Sequence, residues 1–265
     1  MKLSIITATY NRPKILQDNA LPSILAQTIN PQQVEWIVIN DGNHPKTAHI
    51  IESLDAEFDI VHHPIPHPQT GFGLCHARNQ GLAIASGDIV AYLDDDNALH
   101  STFALKTIDF FEQHPEINYS MTRQQRRRDS LHKQGTAFVE PSEECSVDNL
   151  IRQDQLFDSN GFAHRTDNPP QWNPNYRIFC DYHYFLQCIN HWGPETFRLN
   201  PSILVDYVQS PNGIIGQSQF EEWATELLDI IQETTLTSAI ATHIPHLQAL
   251  AQHWQQNSNP APAFV

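Results

Sequence analysis

Apolar positions along the chain fall into two alternating kinds of run. Short, largely β-branched stretches at residues 3–8 (Leu-Ser-Ile-Ile-Thr-Ala), 34–39 (Val-Glu-Trp-Ile-Val-Ile), 58–62 and 89–93 (Ile-Val-Ala-Tyr-Leu) have the length and near-continuous character of strands covered on both faces. Between them apolar residues recur at helical spacing: Ile15, Leu16, Ala20, Ile24 and Leu25 first, then a shorter stretch at 46–54, then Leu74, Ala77, Gly81, Leu82 and Ala85, and finally 101–111. Asn11 reads as the N-cap of the first helix with Pro13 in its first turn, and Pro22 should kink or divide that helix. Strand alternating with helix over residues 1–115 predicts an α/β fold with a doubly wound sheet and right-handed crossovers.

From Ile117 the pattern is less regular. A short helix at 146–154, a strand-like piece at 161–165 and a proline-containing loop at 166–177 lead to a helix opening at Cys180, with Phe185, Ile189 and Trp192 on one face. A last strand at 203–208 precedes two amphipathic helices at 217–232 and 236–255 and a loose tail over 257–265. These helices either cover an apolar surface of the main domain or form a homodimer contact.

Each early strand ends in polar residues: Thr9-Tyr10-Asn11, Asn40-Asp41-Gly42, and Asp94-Asp95-Asp96-Asn97. Parallel sheets gather ligands at those carboxyl ends. An acidic triplet in a loop is by itself most often a solvated turn. Three adjacent anions at the end of a buried strand instead repel one another unless a cation or solvent intervenes, and hard oxygen donors at this spacing suit Mg²⁺ or Mn²⁺. Arg78, beside the packing face of its helix, either pairs with a carboxylate or reaches a phosphate. The histidines at 62, 63 and 67 lie among Pro64, Pro66 and Pro68, which reads as a stiff, extended loop rather than a metal cage.

Composition narrows the partners. A net charge of -15, from 15 Lys+Arg against 30 Asp+Glu, disfavours nucleic acid or an anionic membrane, so an anionic ligand needs a metal or a local basic patch. Arg123, Arg126, Arg127, Arg128 and Lys133 supply the one such patch, either a solvated face or a grip on a phosphorylated acceptor or lipid diphosphate. No stretch of about 18 apolar residues offers a transmembrane segment, and a cytoplasmic protein is expected. Cys75, Cys145, Cys180 and Cys188 contain no Cys-x-x-Cys pair; Cys180 and Cys188 fall on one helix roughly 12 Å apart by helical rise, too far for a disulfide, so free thiols are expected.

Four motifs in order, residues 4–12 (Ser-Ile-Ile-Thr-Ala-Thr-Tyr-Asn-Arg), 38–42 (Val-Ile-Asn-Asp-Gly), 77–81 (Ala-Arg-Asn-Gln-Gly) and 86–97 (Ser-Gly-Asp-Ile-Val-Ala-Tyr-Leu-Asp-Asp-Asp-Asn), resemble the nucleotide-binding half of family 2 glycosyltransferases of the GT-A fold. The resemblance implies a Rossmann-like donor-binding half over 1–120, an acceptor-binding half over 121–215 and a C-terminal helical extension over 216–265. It places Thr9, Tyr10, Asn11, Arg12, Asn40, Asp41 and Arg78 at the donor nucleotide, with Asp94 and Asp95 on the ribose or metal-bound water. It puts the divalent ion on Asp96 with Asp94, and the general base at Asp181. Asn40 stands where the family has the first carboxylate of a pair, and Cys180 where many members carry Glu. Trp172 and Tyr176 suit stacking on an acceptor sugar or buried anchoring alike, and His183 stands beside them as a further acceptor-side candidate.

The implied activity is metal-dependent transfer of a sugar, with inversion, from a nucleoside diphosphate donor such as a UDP-sugar to a hydroxyl of a glycan, lipid-linked sugar or protein. Two other readings compete. One is a nucleotide-binding module that has lost catalysis. The other is a phosphohydrolase using an aspartyl nucleophile, which usually follows a chain's first strand and here would follow about the fourth.

Overall fold

The structure, a computed structural model, describes residues 1–128, 137–210, 213–233 and 236–257. Its strands are β1 (Leu3–Tyr10), β2 (Val34–Asp41), β3 (Asp59–Ile65), β4 (Ile89–Tyr92), β5 (Ala98–Leu99), β6 (Tyr119–Arg128), β7 (Ala137–Glu140), β8 (Phe162–Arg165) and β9 (Phe197–Gln209). Its helices are α1 (Pro13–Asp18), α2 (Ala20–Leu25), α3 (Pro45–Glu52), α4 (Gly73–Ile84), α5 (Phe103–Gln113), α6 (Val147–Ile151), α7 (Cys180–Trp192), α8 (Ile214–Gln217), α9 (Phe220–Gln232), α10 (Ser238–Ala241) and α11 (Ile244–Gln256).

The described strands form one sheet in the order β3-β2-β1-β4-β8-β6-β9-β5, with β7 paired to β6. The first four are parallel, so their carboxyl ends share an edge, and the order reverses around β1 and β4, where a doubly wound sheet leaves a crevice for ligands. Beyond β4 the sheet is mixed, with β8 antiparallel to both β4 and β6. Side chains alternate between two cores, one on each face. Leu3, Ile5, Trp36, Val38, Ile89 and Ala91 pack with α1, α2 and α5. Ile6, Ile37, Ile39, Val90 and Tyr92 face α4, α7, α9 and α11. Gly81 permits the close packing of α4 on β1, because a Cβ there would lie 2.6 Å from Ile6 Cγ2.

Several expected boundaries move. The first helix is divided at Asn19 into α1 and α2, since Pro22 has no N–H to return to Asp18. Asn11 is not its N-cap: it sits at φ 55, and Arg12 holds that position without a side-chain cap bond. β1 and β2 continue to Tyr10 and Asp41 because Thr9 pairs with Asn40 and Tyr10 with Asp41, and β3 runs on through His62 and His63 to Ile65. The irregular stretch after Ile117 contains β6, one of the longer strands.

The C-terminal helices cover an apolar face of the same core. Ala224, Leu227, Ile230, Leu247 and Ala251 are buried with Phe185 and Ile189 of α7, and the Phe179 and Trp223 rings pack on Trp254 at 5.8 and 5.5 Å. All four cysteines are free and buried. Among the described residues no helix is long and apolar enough to cross a membrane.

Candidate active site

β4 stops pairing with β1 after Tyr92, and the chain turns through the three aspartates, closed by an Asn97 N–H to Asp94 carbonyl bond of 3.2 Å. Asp95 is fully buried; Thr9 Oγ1 donates to it at 2.7 Å, and the Arg12 guanidinium pairs with both of its oxygens. Arg12 Nη1 also reaches Asp96, 3.2 Å away and one-third exposed. Asp94 accepts from Arg78 Nη2 and Asn160 Nδ2, each at 2.9 Å, while its own N–H donates to Asn160 Oδ1 at 2.7 Å. Burial pushes the Asp95 carboxyl up to about 7 against the pull of Arg12, with Asp96 and Asp94 adding to the rise. Burial and then the Asp94 charge also raise Asp96. Burial works against the Arg12 charge, yet Asp95, Asp96 and Asp94 together hold it more firmly protonated.

At the ends of β1 and β2, Tyr10 and Asp41 meet His67. The His67 ring stacks on Tyr10 at 4.0 Å, and its Nδ1 lies 2.8 Å from Asp41 Oδ2. Asp41 Oδ1 is buried without a hydrogen-bond partner among the described residues. The adjacent Asn40, expected at the nucleotide, is turned into the fold instead: Oδ1 accepts the His44 N–H at 2.8 Å, and Nδ2 donates to the His44 carbonyl at 3.0 Å and lies 3.1 Å from His62 Nε2. Neighbours on a strand point to opposite faces, which sends Asn40 towards His44 and Asp41 towards His67.

Asp181 sits in the first turn of α7 and is tied to the acidic triplet through Arg78. Arg78 Nη1 reaches Asp181 at 2.5 Å and Nη2 reaches Asp94, while Ser159 donates to Asp181 through its N–H at 3.3 Å and its hydroxyl at 3.2 Å. Arg78 is buried; desolvation opposes its charge, but Asp181 and Asp94 raise its pKa well above the ordinary value. Its guanidinium carbon lies 4.3 Å from the Trp172 ring centre.

The acceptor-side candidates are largely buried, and Trp172 and His183 also line the cleft on this side. Trp172, Tyr176 and His183 are 1, 7 and 3% exposed. Trp172 packs between Arg78 and the Tyr184 ring, parallel at 3.9 Å, so its faces are not open to a sugar. The Tyr176 hydroxyl donates to Glu233 Oε1 at 2.7 Å, and His183 Nε2 lies 2.8 Å from Glu233 Oε2. Open space on this side is a cleft of about 710 Å³ lined by Gln171, Asn173, His183, Gln187, Gln232 and Glu233, among others. Of the basic patch, the three arginines whose side chains are described lie against the protein's own acids. Arg123 pairs with Glu143 at 2.6 Å and Arg127 with Asp206 at 3.3 Å; buried Arg126 lies 3.8 Å from Asp158 and 4.2 Å from the Tyr207 ring centre. The Arg128 side chain and Lys133 lie outside the described residues.

Among the described residues no three His, Cys, Asp or Glu side chains form a metal cage by themselves. The donor set nevertheless fits Mg²⁺ or Mn²⁺, which bind through one or two carboxylates with substrate phosphates and water. Asp96 is the most open of the three acids, and its carboxyl is raised by burial and by Asp94, so a cation there would relieve the repulsion. The sequence pattern weighed His67 only within a histidine- and proline-containing loop and not at the nucleotide, and it did not point to Ser159 or Asn160. The only signal for His67 was its place just after β3, and the 159–160 pair carried none.

A family model, Glycosyl transferase family 2, matches residues 4–169. The chain is 26% identical over 117 residues to a glucosyl-dolichyl phosphate glucuronosyltransferase of Haloferax volcanii, covering 44% of this chain and 36% of that protein. It is 32% identical over 92 residues to a validoxylamine A glucosyltransferase of Streptomyces hygroscopicus subsp. limoneus, covering 35 and 20%. The matches thus span about a third or less of those relatives' lengths. Among solved structures, S. aureus TarS 1-349 in complex with UDP-GlcNAc superposes with a TM-score of 0.70 at 15% identity, over 100% of this chain and 75% of that one. A mannosyltransferase, PcManGT from Pyrobaculum calidifontis, in complex with GDP-Man and Mn²⁺, superposes with a TM-score of 0.59 at 14% identity, over 99 and 77%. The fold is the one these enzymes share, and with well over half of its residues inside the family model the chain belongs to glycosyl transferase family 2.

Proposed function

We propose that the protein transfers a sugar from a nucleoside diphosphate donor, a UDP-sugar in the first instance, to a hydroxyl acceptor with inversion at the anomeric carbon. The observation that carries this reading is the single guanidinium of Arg78 joining Asp94 of the acidic triplet to Asp181 at the start of α7, so that a donor-side acid and a candidate base border one site. In this reading the free Oδ1 of Asp41 accepts from the nucleobase, Tyr10 and Thr9 border the base and ribose, and Arg12 steadies the acids that face the diphosphate. Asp181 takes the acceptor hydroxyl proton as that oxygen attacks the anomeric carbon, and Ser159 and Arg78 hold the carboxylate in place. A divalent ion held by Asp96 with Asp94 would offset charge on the departing diphosphate. The division into a donor half, an acceptor half and a helical extension belongs to the same proposal.

The test is a panel of UDP, GDP, UDP-GlcNAc, UDP-glucose and GDP-mannose, with and without Mn²⁺, scored by thermal stabilisation and by nucleoside diphosphate release in the presence of simple glycosides. Metal-dependent stabilisation by one nucleotide and turnover of one of its sugars is expected. Binding without turnover would favour the module that has lost catalysis, and a covalent aspartyl-phosphate would favour the phosphohydrolase.

A further inference from the structure

Glu226 of α9 and Glu233, the residue that ends that helix, grip the chain that leads into α7. Glu226 Oε1 accepts the backbone N–H groups of Arg177 at 2.9 Å and Phe179 at 2.7 Å. Glu233, at the helix's C-terminal cap, accepts the Tyr176 hydroxyl at 2.7 Å and Asn173 Nδ2 at 3.3 Å through one oxygen, and meets His183 Nε2 at 2.8 Å through the other. Seven residues is two helical turns, so both carboxylates project from one face of α9. The grip falls where α7 cannot fasten itself. Phe179 is the N-cap residue of α7, its apolar side chain cannot cap the first N–H groups of the helix, and its own N–H is held from outside by Glu226, an anion that also favours the positive end of the helix. Asp181 follows two residues later.

We propose that Glu226 and Glu233 are positioning residues of the transfer site: they fix the 173–179 segment and the first turn of α7, and through them the Asp181 carboxylate. The C-terminal helices thereby belong to the acceptor-side machinery in addition to covering the core. This rests on Asp181 being the base, as proposed above.

The test uses the full chain with Mn²⁺ and three measurements: amide exchange at residues 177 and 179, UDP affinity by calorimetry, and nucleoside diphosphate release from whichever of UDP-GlcNAc, UDP-glucose and GDP-mannose the wild type turns over. Glu226→Ala should speed exchange at both amides and lower kcat by about ten- to a hundredfold, while UDP affinity stays within about twofold, because the distortion lies at the base and not at the nucleotide. Glu226→Gln, which keeps an accepting oxygen, should restore most of the rate. Glu233→Ala removes only side-chain contacts and should give a smaller fall in kcat with the same unchanged UDP affinity. An unchanged kcat in Glu226→Ala, a loss of UDP affinity in step with kcat, or a Gln variant as damaged as Ala would each overturn the proposal. If the wild type turns over none of the donors, the activity itself fails. Faster exchange in Glu226→Ala would then still uphold the grip, and unchanged exchange overturns it whatever the activity.

Discussion

His67 holds one oxygen of Asp41 and leaves the other buried and without a partner among the described residues. A carboxylate oxygen kept dry in this way costs free energy unless a ligand supplies a donor, and the imide N–H of a uracil is a donor of the right kind. Asp41→Asn keeps the shape but removes the charge, so UDP affinity measured by calorimetry is expected to fall by about ten- to a hundredfold, the range of a hydrogen bond to a charged group. Affinity equal to wild type would remove Asp41 from the base site.

Asp181→Asn removes the proposed proton acceptor while leaving the Arg78 and Ser159 contacts sterically possible. General-base catalysis is worth about a hundred- to ten-thousand-fold, so transfer should drop by that factor with UDP binding intact. Normal turnover would show that another group takes the proton.

Asp96 makes the fewest internal commitments of the three aspartates: a single Arg12 contact, against the Thr9 and Arg12 bonds of Asp95 and the Arg78 and Asn160 bonds of Asp94. The prediction is therefore specific. In Asp96→Asn the gain in UDP affinity on adding Mn²⁺ should vanish, while affinity without metal stays near wild type. A full metal-dependent gain in the variant would place the ion elsewhere.

What could be read from the chain follows from where its polar residues point. β1, β2 and β4 were legible because they are apolar on both faces, and Thr9, Asp41 and the aspartate triplet because such strands must end in something polar. β6 was hidden because its inward positions are themselves polar: Ser120, Thr122, Gln124 and Arg126 are buried, and Gln124 spans to Asp158 and Asn160. The same alternation sends the described arginines of the patch, Arg123, Arg126 and Arg127, to separate acids on different elements, and turns Asn40 to His44 while its neighbour Asp41 meets His67. Ser159 and Asn160 join the site only through contacts more than twenty residues away in sequence, and no local pattern reports those.

A last prediction concerns pH and the core behind the site. His164 is fully buried, with Nδ1 2.8 Å from the Arg165 carbonyl and Nε2 2.8 and 3.0 Å from the Tyr92 and Tyr184 hydroxyls, so the ring is neutral with its proton on Nδ1 and accepts at Nε2. Burial lowers its pKa to about 4, against an ordinary 6.5. Because the folded pKa is depressed, the unfolded chain takes up the proton first. The stability His164 contributes is intact above about 6.5 and is lost as pH falls towards 4, on the order of 2 kcal/mol at pH 5. Asp95 and Asp158, raised to about 7 and about 6, act oppositely: their contribution is full below the ordinary carboxylate range and lost as pH rises through those values. The whole-protein curve mixes these slopes, so the readout is a difference. Urea unfolding of wild type and His164→Gln at pH 7.5 and 5 should show a variant that is less stable at both, with a stability gap that narrows by about 2 kcal/mol on acidification. A gap of constant size would mean that His164 is protonated in the folded protein or accessible to water there, and the tyrosine cage around Nε2 would then need another account.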